Sequence, residues 1–146
     1  PVQIRFGIGI GSISTQIDAS ISIGADGPAY YCARDCIEQL KLKEKKKENG
    51  VGDIEIKIED QHYCHEMTMN SIFRLMYSIE NNWTQRQKSI IDHIIIYNET
   101  QTQTAKYFNV TQSNIGQILT KTHFYAYKEA FDCIQMIMKE VNKHGV

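Results

Sequence analysis

The side chains best suited to chemistry in this sequence lie close together in its C-terminal half. They are the amides, hydroxyl and amine of Gln112, Ser113, Asn114, Gln117 and Lys121. Glutamine and asparagine amides can pair bidentately with adenine, whereas serine and lysine reach phosphates or guanine. If one helix presents all five, the sequence predicts a surface that could contact base edges in the major groove of DNA.

A helix-turn-helix between residues 100 and 122 is expected to position these side chains. Thr100 suits the N-cap of the first helix and Thr111 that of the second, because a threonine hydroxyl satisfies a free backbone N–H. The small Ala105 would lie where the two helices approach closely. Asn109, which tolerates the left-handed backbone, would form the turn. We therefore expect a recognition helix at about residues 111–122, with Thr111 also at the DNA.

The apolar residues of this segment support the same interpretation. Ile115, Ile118 and Leu119 recur at the three-to-four spacing of one buried helix face, and Val110 is expected to fill the gap between the helices. The plain alternative is an ordinary helical hairpin with a solvated polar face, since a motif match remains a hypothesis.

A further helix is predicted just before the motif. Thr84 is its expected N-cap, and its apolar face would comprise Ile90, Ile91, Ile94, Ile95 and Tyr97. With the helix-turn-helix, this segment resembles the trihelical DNA-binding unit of sigma-factor-like bacterial regulators. The candidates for phosphate contacts are Arg86, Lys88 and Lys106.

A long helix is predicted after the motif, from His123 to His144. Its apolar residues recur at heptad-like spacing at Ala126, Ala130, Cys133, Ile134, Ile137 and Val141. A lone helix cannot bury such a face, so it either folds back on the N-terminal half or pairs with its copy. We expect a homodimer, because DNA readers of this kind commonly present two recognition helices to two half-sites.

Bulky apolar residues alternate with glycines near the start of the sequence. Ile4, Phe6, Ile8 and Ile10 would lie on one side of a strand within residues 2–17, opposite Gly7, Gly9 and Gly11. Such glycines indicate that something packs closely on the bare side, either a helix or a ligand. A phosphate loop is not favoured, because no helix opens directly after the glycines. The weakly indicated ligand-binding residues are Gly7, Gly9, Gly11 and Asp26.

Three more elements follow in the N-terminal half. A short second strand is expected to end at residues 23–24. A helix would then run to about Leu42, with Asp26 as its N-cap and Pro28 near its first position. The run KLKEKKKEN at residues 41–49 is interpreted as a solvated helix end and loop rather than a basic patch. Residues 53–59 alternate without a break and predict a strand with Glu55, Lys57 and Glu59 facing water.

Residues 62–81 predict a connecting helix. Its expected apolar stripe is Tyr63, Met67, Ile72, Leu75, Met76 and Ile79. A metal site at His62, Cys64, His65 and Glu66 is not favoured, because consecutive helical positions point in different directions.

Composition sets broad limits. The chain has 146 residues and a formal net charge of −1, so bulk charge does not indicate a nucleic-acid binder. Residues 81–146 carry seven Lys or Arg against five Asp or Glu, the direction expected of a phosphate-contacting half. The sequence has neither an apolar run of membrane-spanning length nor a signal-peptide pattern. The four cysteines form no disulfide-like framework, so we expect reduced thiols in a cytoplasmic protein.

Two stretches together resemble a known family. RFGIGIGSISTQI at residues 5–17 and SIGADGPAYYCAR at residues 22–34, followed by a helix-turn-helix, resemble the SatD-family proteins of bacteria. The resemblance covers the whole chain, and residues 23–34 are its most specific part. It implies a regulatory role linked to stress responses, without a defined reaction.

The same region distantly resembles the end of a class III nucleotide cyclase or diguanylate cyclase domain. Those enzymes carry metal-binding acidic residues on earlier strands, and this sequence has no acidic pair in such a context. The resemblance therefore implies a scaffold used for sensing or dimerisation. Since the sequence opens at Pro1 without an initiator methionine, it leaves open that the sheet module is truncated at its N-terminus.

These observations predict an α+β fold with three parts. A small antiparallel, ferredoxin-like or cyclase-like sheet module would occupy residues 1–60, a connecting helix residues 61–82, and an all-α helix-turn-helix module with a long C-terminal helix residues 83–146. The expected function is transcriptional regulation through double-stranded DNA, not catalysis, with no cofactor or metal. The alternatives are a nucleotide-binding or enzymatic module and a protein-interaction adaptor. A small-molecule or nucleotide effector stays open.

Overall fold

The computed structural model describes residues 4–15, 26–46, 52–59 and 63–144. Its described elements are, in chain order, β1 (Phe6–Ile10), α1 (Pro28–Lys45), β2 (Ile54–Ile58), α2 (Tyr63–Glu80), α3 (Gln85–Tyr97), α4 (Gln101–Tyr107), α5 (Gln112–Lys121) and α6 (Phe124–His144). They form two compact units. The sheet unit comprises the described residues of 1–77 and 134–146, and the helical unit is Ser78–Cys133.

The two strands of the sheet unit run parallel. They pair in register from Phe6 opposite Ile54 to Ile10 opposite Ile58. The α+β class is therefore confirmed, but the antiparallel, ferredoxin-like sheet was wrong. The reason is α1, which carries the chain back to the end where β1 began, as a parallel pair requires. The predicted strand ending at residues 23–24 lies outside the described residues.

The first helix begins one residue later than predicted. Gly27, not Asp26, is the N-cap of α1, and its φ of 140° favours glycine. Pro28 occupies the first helical turn as expected. The Asp26 carboxylate instead accepts a hydrogen bond from the Gly27 N–H at 2.9 Å. A hydrogen bond to Asp26 also raises the pKa of the Tyr31 hydroxyl above its usual range.

The bare side of β1 is covered by α1. A Cβ atom on Gly7 would overlap the carbonyl oxygen of Ala33, and one on Gly9 would overlap that of Ala29. The close-packing interpretation of these glycines is thus confirmed, and the packing element is a helix. The residues that α1 buries are Cys32, Cys36 and Leu40.

All four cysteines, which lie among the described residues, are free thiols in the structure. The Cys36 thiol donates to the Ile8 carbonyl oxygen over 3.7 Å. Burial raises its pKa to about 11, because a thiolate loses hydration in the interior. Cys36 therefore stays protonated and acts as a small apolar residue of the core.

Ion pairs join α1 to β2 on the side of the sheet that α1 covers. The Lys43 Nζ lies 2.5 Å from the Glu55 carboxylate, whose side chain is only 14% exposed. The Lys57 Nζ lies 2.7 Å from Asp35. The prediction that Glu55 faces water was wrong, because the end of α1 continues to Lys45 and covers it. Part of the lysine-rich run therefore holds α1 against β2.

The outer edge of β2 is satisfied by side chains of α2. The buried Asn70 accepts from the Ile56 N–H and donates to the Ile56 carbonyl, both at 2.8 Å. The Glu66 carboxylate accepts from the Ile58 N–H at 3.1 Å. Side chains thus replace a third strand along this edge, which would otherwise leave buried backbone groups unpaired.

This edge also explains why the predicted stripe of α2 was wrong in part. Tyr63, Met67 and Leu75 are exposed, whereas Met69, Asn70 and Met76 are buried. The buried face of α2 therefore lies on the side of the helix whose residues hydrogen-bond β2, and it is not centred on the predicted apolar stripe. Among the described residues, no group of three or more His, Cys, Asp and Glu side chains could hold a metal ion.

The helical unit encloses its own core. The buried residues of this cluster are Trp83, Ile90, Ile91, Ala105, Ile115, Leu119 and Phe124. The indole N–H of Trp83 donates to the Thr122 carbonyl oxygen at 2.9 Å, so the start of α3 is tied to the end of α5. Tyr97, predicted to join the apolar face of α3, is instead 64% exposed.

The last helix begins at Phe124, one residue later than predicted. His123, immediately before it, has a φ of 53°. Ile134 and Val141 are buried within the single chain. No helix among the described residues is long and apolar enough to cross a membrane.

Replacing Asn70 with leucine tests the edge contact. Asn70→Leu keeps the number and branching of the side-chain heavy atoms but leaves the Ile56 N–H and carbonyl unpaired, so we expect a loss of about 2–4 kcal/mol in unfolding free energy. Amide hydrogen exchange at Phe6 and Glu59, which bond across the two strands, measures it. Ser71→Ala, an exposed change on the same helix, is the control and should cost under about 0.5 kcal/mol. Equal protection in Asn70→Leu and the control would contradict the role given to Asn70.

Candidate nucleic-acid interface

Both helices of the predicted helix-turn-helix begin at the predicted caps. The Thr100 hydroxyl accepts from the Gln103 N–H at 3.3 Å, and the Gln103 side chain bonds back to the Thr100 N–H at 2.9 Å. The Thr111 hydroxyl accepts from the Asn114 N–H at 3.2 Å. Free N–H groups at both helix starts are thereby satisfied locally, which fixes where α4 and α5 begin.

The turn between the helices has the predicted geometry. Asn109 has a φ of 52°, the left-handed conformation. The Val110 N–H then donates to the Ala105 carbonyl oxygen at 2.9 Å, which closes the end of α4. Ala105 is 4% exposed at this approach. A larger side chain there would push the helices apart.

One side of α5 is anchored in the core. Ile115 is fully buried and Leu119 is 2% exposed, while Ile118 and Val110 pack against the same cluster. The opposite side carries the predicted residues, all exposed: Gln112, Ser113, Asn114, Gln117 and Lys121. We call these five residues the polar face. Because the apolar side is locked, the polar face has a fixed orientation within the helical unit.

Two residues extend the polar face beyond the prediction. Gly116 and Thr120 join Ser113, Gln117 and Lys121 around a shallow depression of about 430 Å³. The Thr120 hydroxyl donates back to the Gly116 carbonyl oxygen at 3.0 Å, so it is already hydrogen-bonded within the helix. Gly116 leaves the helix backbone bare at the centre of this surface. Glycine and threonine are not residue types that by themselves indicate DNA contacts, so the sequence pattern did not predict these two positions.

The stretch of sequence that contains the motif lacks carboxylates. No acidic residue occurs between Glu99 and Glu129, a stretch that contains both helices of the motif. The carboxylate of Glu99, which precedes this stretch, lies 3.0 Å from Nε2 of His93. The sequence alone could have supplied this signal, since a phosphate-contacting surface avoids carboxylates.

The four cations among the predicted DNA-binding residues differ in their availability. Arg86, Lys106 and Lys121 are exposed and form no ion pair with the described residues. Lys88 instead pairs with Glu80 at 3.1 Å, so its charge is partly compensated. Three of the four predicted cations are therefore free to meet phosphates. Thr111, the N-cap of α5, is also exposed.

The weakly indicated ligand residues lie in the sheet unit. The backbone of α1 adjoins Gly7 and Gly9, and a Cβ atom on Gly11 would come within 2.6 Å of the Glu59 carboxylate. Asp26 is engaged by Gly27. Contacts within the chain thus account for these small residues.

Two residues that sequence reasoning missed adjoin the polar face. The Gln112 amide nitrogen donates to the Gln101 amide oxygen at 2.9 Å, and the Gln101 nitrogen donates to the Tyr125 hydroxyl at 3.0 Å. Both glutamines are the first residues of their helices. Each glutamine directly follows a threonine N-cap, and this repeated pattern in the sequence could have indicated Gln101 as a counterpart of Gln112.

Comparison with known proteins identifies the family. The SatD family model matches residues 1–138. The chain belongs to the SatD family. No curated protein and no solved structure matches it. The SatD match spans both units, but the description of the family states no activity, so a function for this SatD-family chain has to be argued from its own geometry.

Replacing Gly116 with alanine tests whether the bare centre of α5 is required for folding. A Cβ atom there would meet only the Gln101 amide oxygen, at an ordinary 3.5 Å. Since glycine weakens a helix interior, we expect Gly116→Ala to raise the unfolding free energy of the helical unit by about 0.5–1 kcal/mol. Urea titration followed by the fluorescence of Trp83, the single tryptophan, measures it.

Gly9→Ala is the contrasting variant, because its Cβ would overlap the backbone of Ala29. It should lower the stability of the sheet unit, measured by circular dichroism. A Gly116→Ala protein that unfolds at lower urea than the wild type would show that Gly116 is needed for packing rather than for access.

Proposed function

We propose that this SatD-family chain is a transcriptional regulator that binds double-stranded DNA through its helix-turn-helix. The observation that carries the proposal is the polar face of α5, exposed and orientated by a locked apolar side. Its amides suit base edges, and residues near the start of the helix are the ones that enter the major groove most deeply.

The charges support the same partner. Arg86, Lys106 and Lys121 are exposed and unpaired among the described residues, and the motif contains no carboxylate. Each cation that contacts a phosphate releases bound counterions on association. Binding through these three would make the logarithm of the association constant fall with the logarithm of salt concentration with a slope of about −3 per protomer.

A role other than DNA contact is proposed for the sheet unit. We assign it to dimerisation or to sensing of a small effector, as the cyclase-like resemblance implies for such a scaffold. A cleft of about 250 Å³ in this unit is lined by Asp35, Gln39, Glu55, Lys57 and Glu66, among others. Because Lys57 and Glu55 already hold partners, a bound effector would have to exchange those ion pairs.

The second candidate function is a protein-interaction adaptor. Exposed aromatic residues favour it, because Tyr97 and Tyr107 are 64% and 68% exposed at the ends of α3 and α4. Aromatic residues are enriched where proteins meet. Binding to a protein through these rings would weaken little with salt, so salt dependence separates the two functions.

The test is a double substitution on the polar face. Gln112→Ala with Asn114→Ala removes two amides suited to base edges, so we expect sequence-selective DNA binding to be lost. An electrophoretic shift of labelled genomic fragments at two salt concentrations, including the region upstream of the coding sequence, measures it. The matched control is Asn81→Ala with Gln135→Ala, which removes two exposed amides outside both the motif and the cleft.

The control protein should shift the same fragments as the wild type, with the same salt dependence. DNA binding that survives the loss of Gln112 and Asn114 would contradict the assignment of α5 as the recognition helix. A wild-type protein that shifts no fragment at low salt would contradict the DNA-binding function and favour the adaptor.

A further inference from the structure

Three side chains from three helices form a continuous hydrogen-bonded chain beside the polar face. Gln112 at the start of α5 donates to Gln101 at the start of α4 over 2.9 Å. Gln101 donates in turn to the hydroxyl of Tyr125 in the first turn of α6 over 3.0 Å. Gln112 and Tyr125 are exposed and Gln101 is half-buried, so the chain runs along the surface.

Neighbouring residues hold the backbone of each member of this hydrogen-bonded chain in place. Gln101 directly follows the N-cap Thr100, and Gln112 directly follows the N-cap Thr111. The Tyr125 ring packs edge-on against Phe124, with centroids 5.6 Å apart, and Phe124 is 6% exposed. The backbones that carry the three polar groups are therefore fixed by local caps and by the core.

The direction of the chain determines what Gln112 can offer a partner. An amide nitrogen has two hydrogens and an amide oxygen has two lone pairs. Gln112 gives one hydrogen to Gln101, so it retains one N–H donor and its oxygen acceptor. This pair matches adenine, whose N7 accepts and whose N6 donates in the major groove.

The opposite direction would favour a different base. If Tyr125 donated to Gln101, the Gln101 nitrogen would donate to the Gln112 oxygen. Gln112 would then present two N–H donors, which match the two acceptors of guanine, O6 and N7. The direction of one hydroxyl at Tyr125 thus decides between adenine and guanine at Gln112.

A DNA phosphate beside Tyr125 would fix that direction. Phosphate oxygens only accept, so a Tyr125 hydroxyl beside the DNA backbone must point its hydrogen toward them. Its oxygen is then left to accept from Gln101, as in this structure. Hydrogen bonds in such a chain polarise one another, which strengthens the selected direction.

We propose that Tyr125 and Gln101 are positioning residues that orientate the Gln112 amide for adenine in the major groove, with the Tyr125 hydroxyl donating to a backbone phosphate. The proposal rests on the DNA-binding function proposed above and deepens it. The phosphate contact sets the register of the protein on DNA, and through Gln101 it also sets the choice of base.

The test is selection of binding sites from randomised duplexes by the full chain and its variants. The position read by Gln112 is the one whose base preference disappears in Gln112→Ala. At that position we expect the wild type to prefer adenine over guanine by at least about fivefold, the lower end for a bidentate pair. Tyr125→Phe, which keeps the ring and removes the hydroxyl, should bring that ratio to within about twofold of one, as should Gln101→Ala.

Two further variants separate positioning from general binding. Gln101→Glu can accept from both Gln112 and Tyr125, so it should keep the adenine preference while its added charge lowers affinity for all sequences. Lys121→Ala should also lower affinity for all sequences without changing the ratio at this position. Thermal unfolding followed at Trp83 checks that Tyr125→Phe remains folded.

An unchanged adenine preference in Tyr125→Phe and Gln101→Ala would overturn the positioning role while leaving DNA binding by α5 intact. A wild-type preference for guanine at this position would also overturn it, because the chain would then run in the opposite direction. Absence of DNA binding by the wild type would overturn both proposals together.

Discussion

The helical unit depends on three residues held in the left-handed backbone conformation. Asn98, Asn109 and His123, with φ of 50°, 52° and 53°, each precede or form the turn between successive helices from α3 to α6. This conformation crowds the Cβ of an L-residue and costs roughly 1–2 kcal/mol. Burial of the core around Ile90, Ile115 and the other residues of the cluster offsets that cost. The outward direction of α5, and hence any role of its polar face, follows from these turns.

The helix-turn-helix could be predicted because its determinants are local. Caps at Thr84, Thr100 and Thr111 act within three residues, and asparagine at position 109 is one of the few residue types that tolerates its backbone. The third turn was not foreseen in the same detail. Histidine is among the non-glycine residues that are enriched at positive φ, so the residue type permits this turn. The bond from Trp83 to the Thr122 carbonyl, which holds the neighbouring residue, joins positions 39 apart in sequence and has no local signal.

The features that escaped prediction are those that join residues distant in sequence. Strand direction depends on where α1 returns the chain, and alternation of residues 53–59 is the same in parallel and antiparallel pairs. Asn70 satisfies a strand edge that lies 14 residues earlier, and Gln101 meets Gln112 across a turn. Neither amide has an apolar period to reveal it. At the candidate interface, sequence therefore supplied the exposed side chains of α5 but not the polar chain that orientates one of them.

The most direct measurement is a nitrogen-15 NMR titration of the full chain with a duplex that contains its selected binding site. The backbone amides of Thr111–Gln117 and the side-chain amides of Gln101 and Gln112 should shift most, while those of Phe6–Ile10 and Ile54–Ile58 stay close to their free positions. Largest shifts in the sheet unit, or unchanged residues 111–121 at saturating DNA, would contradict recognition through α5.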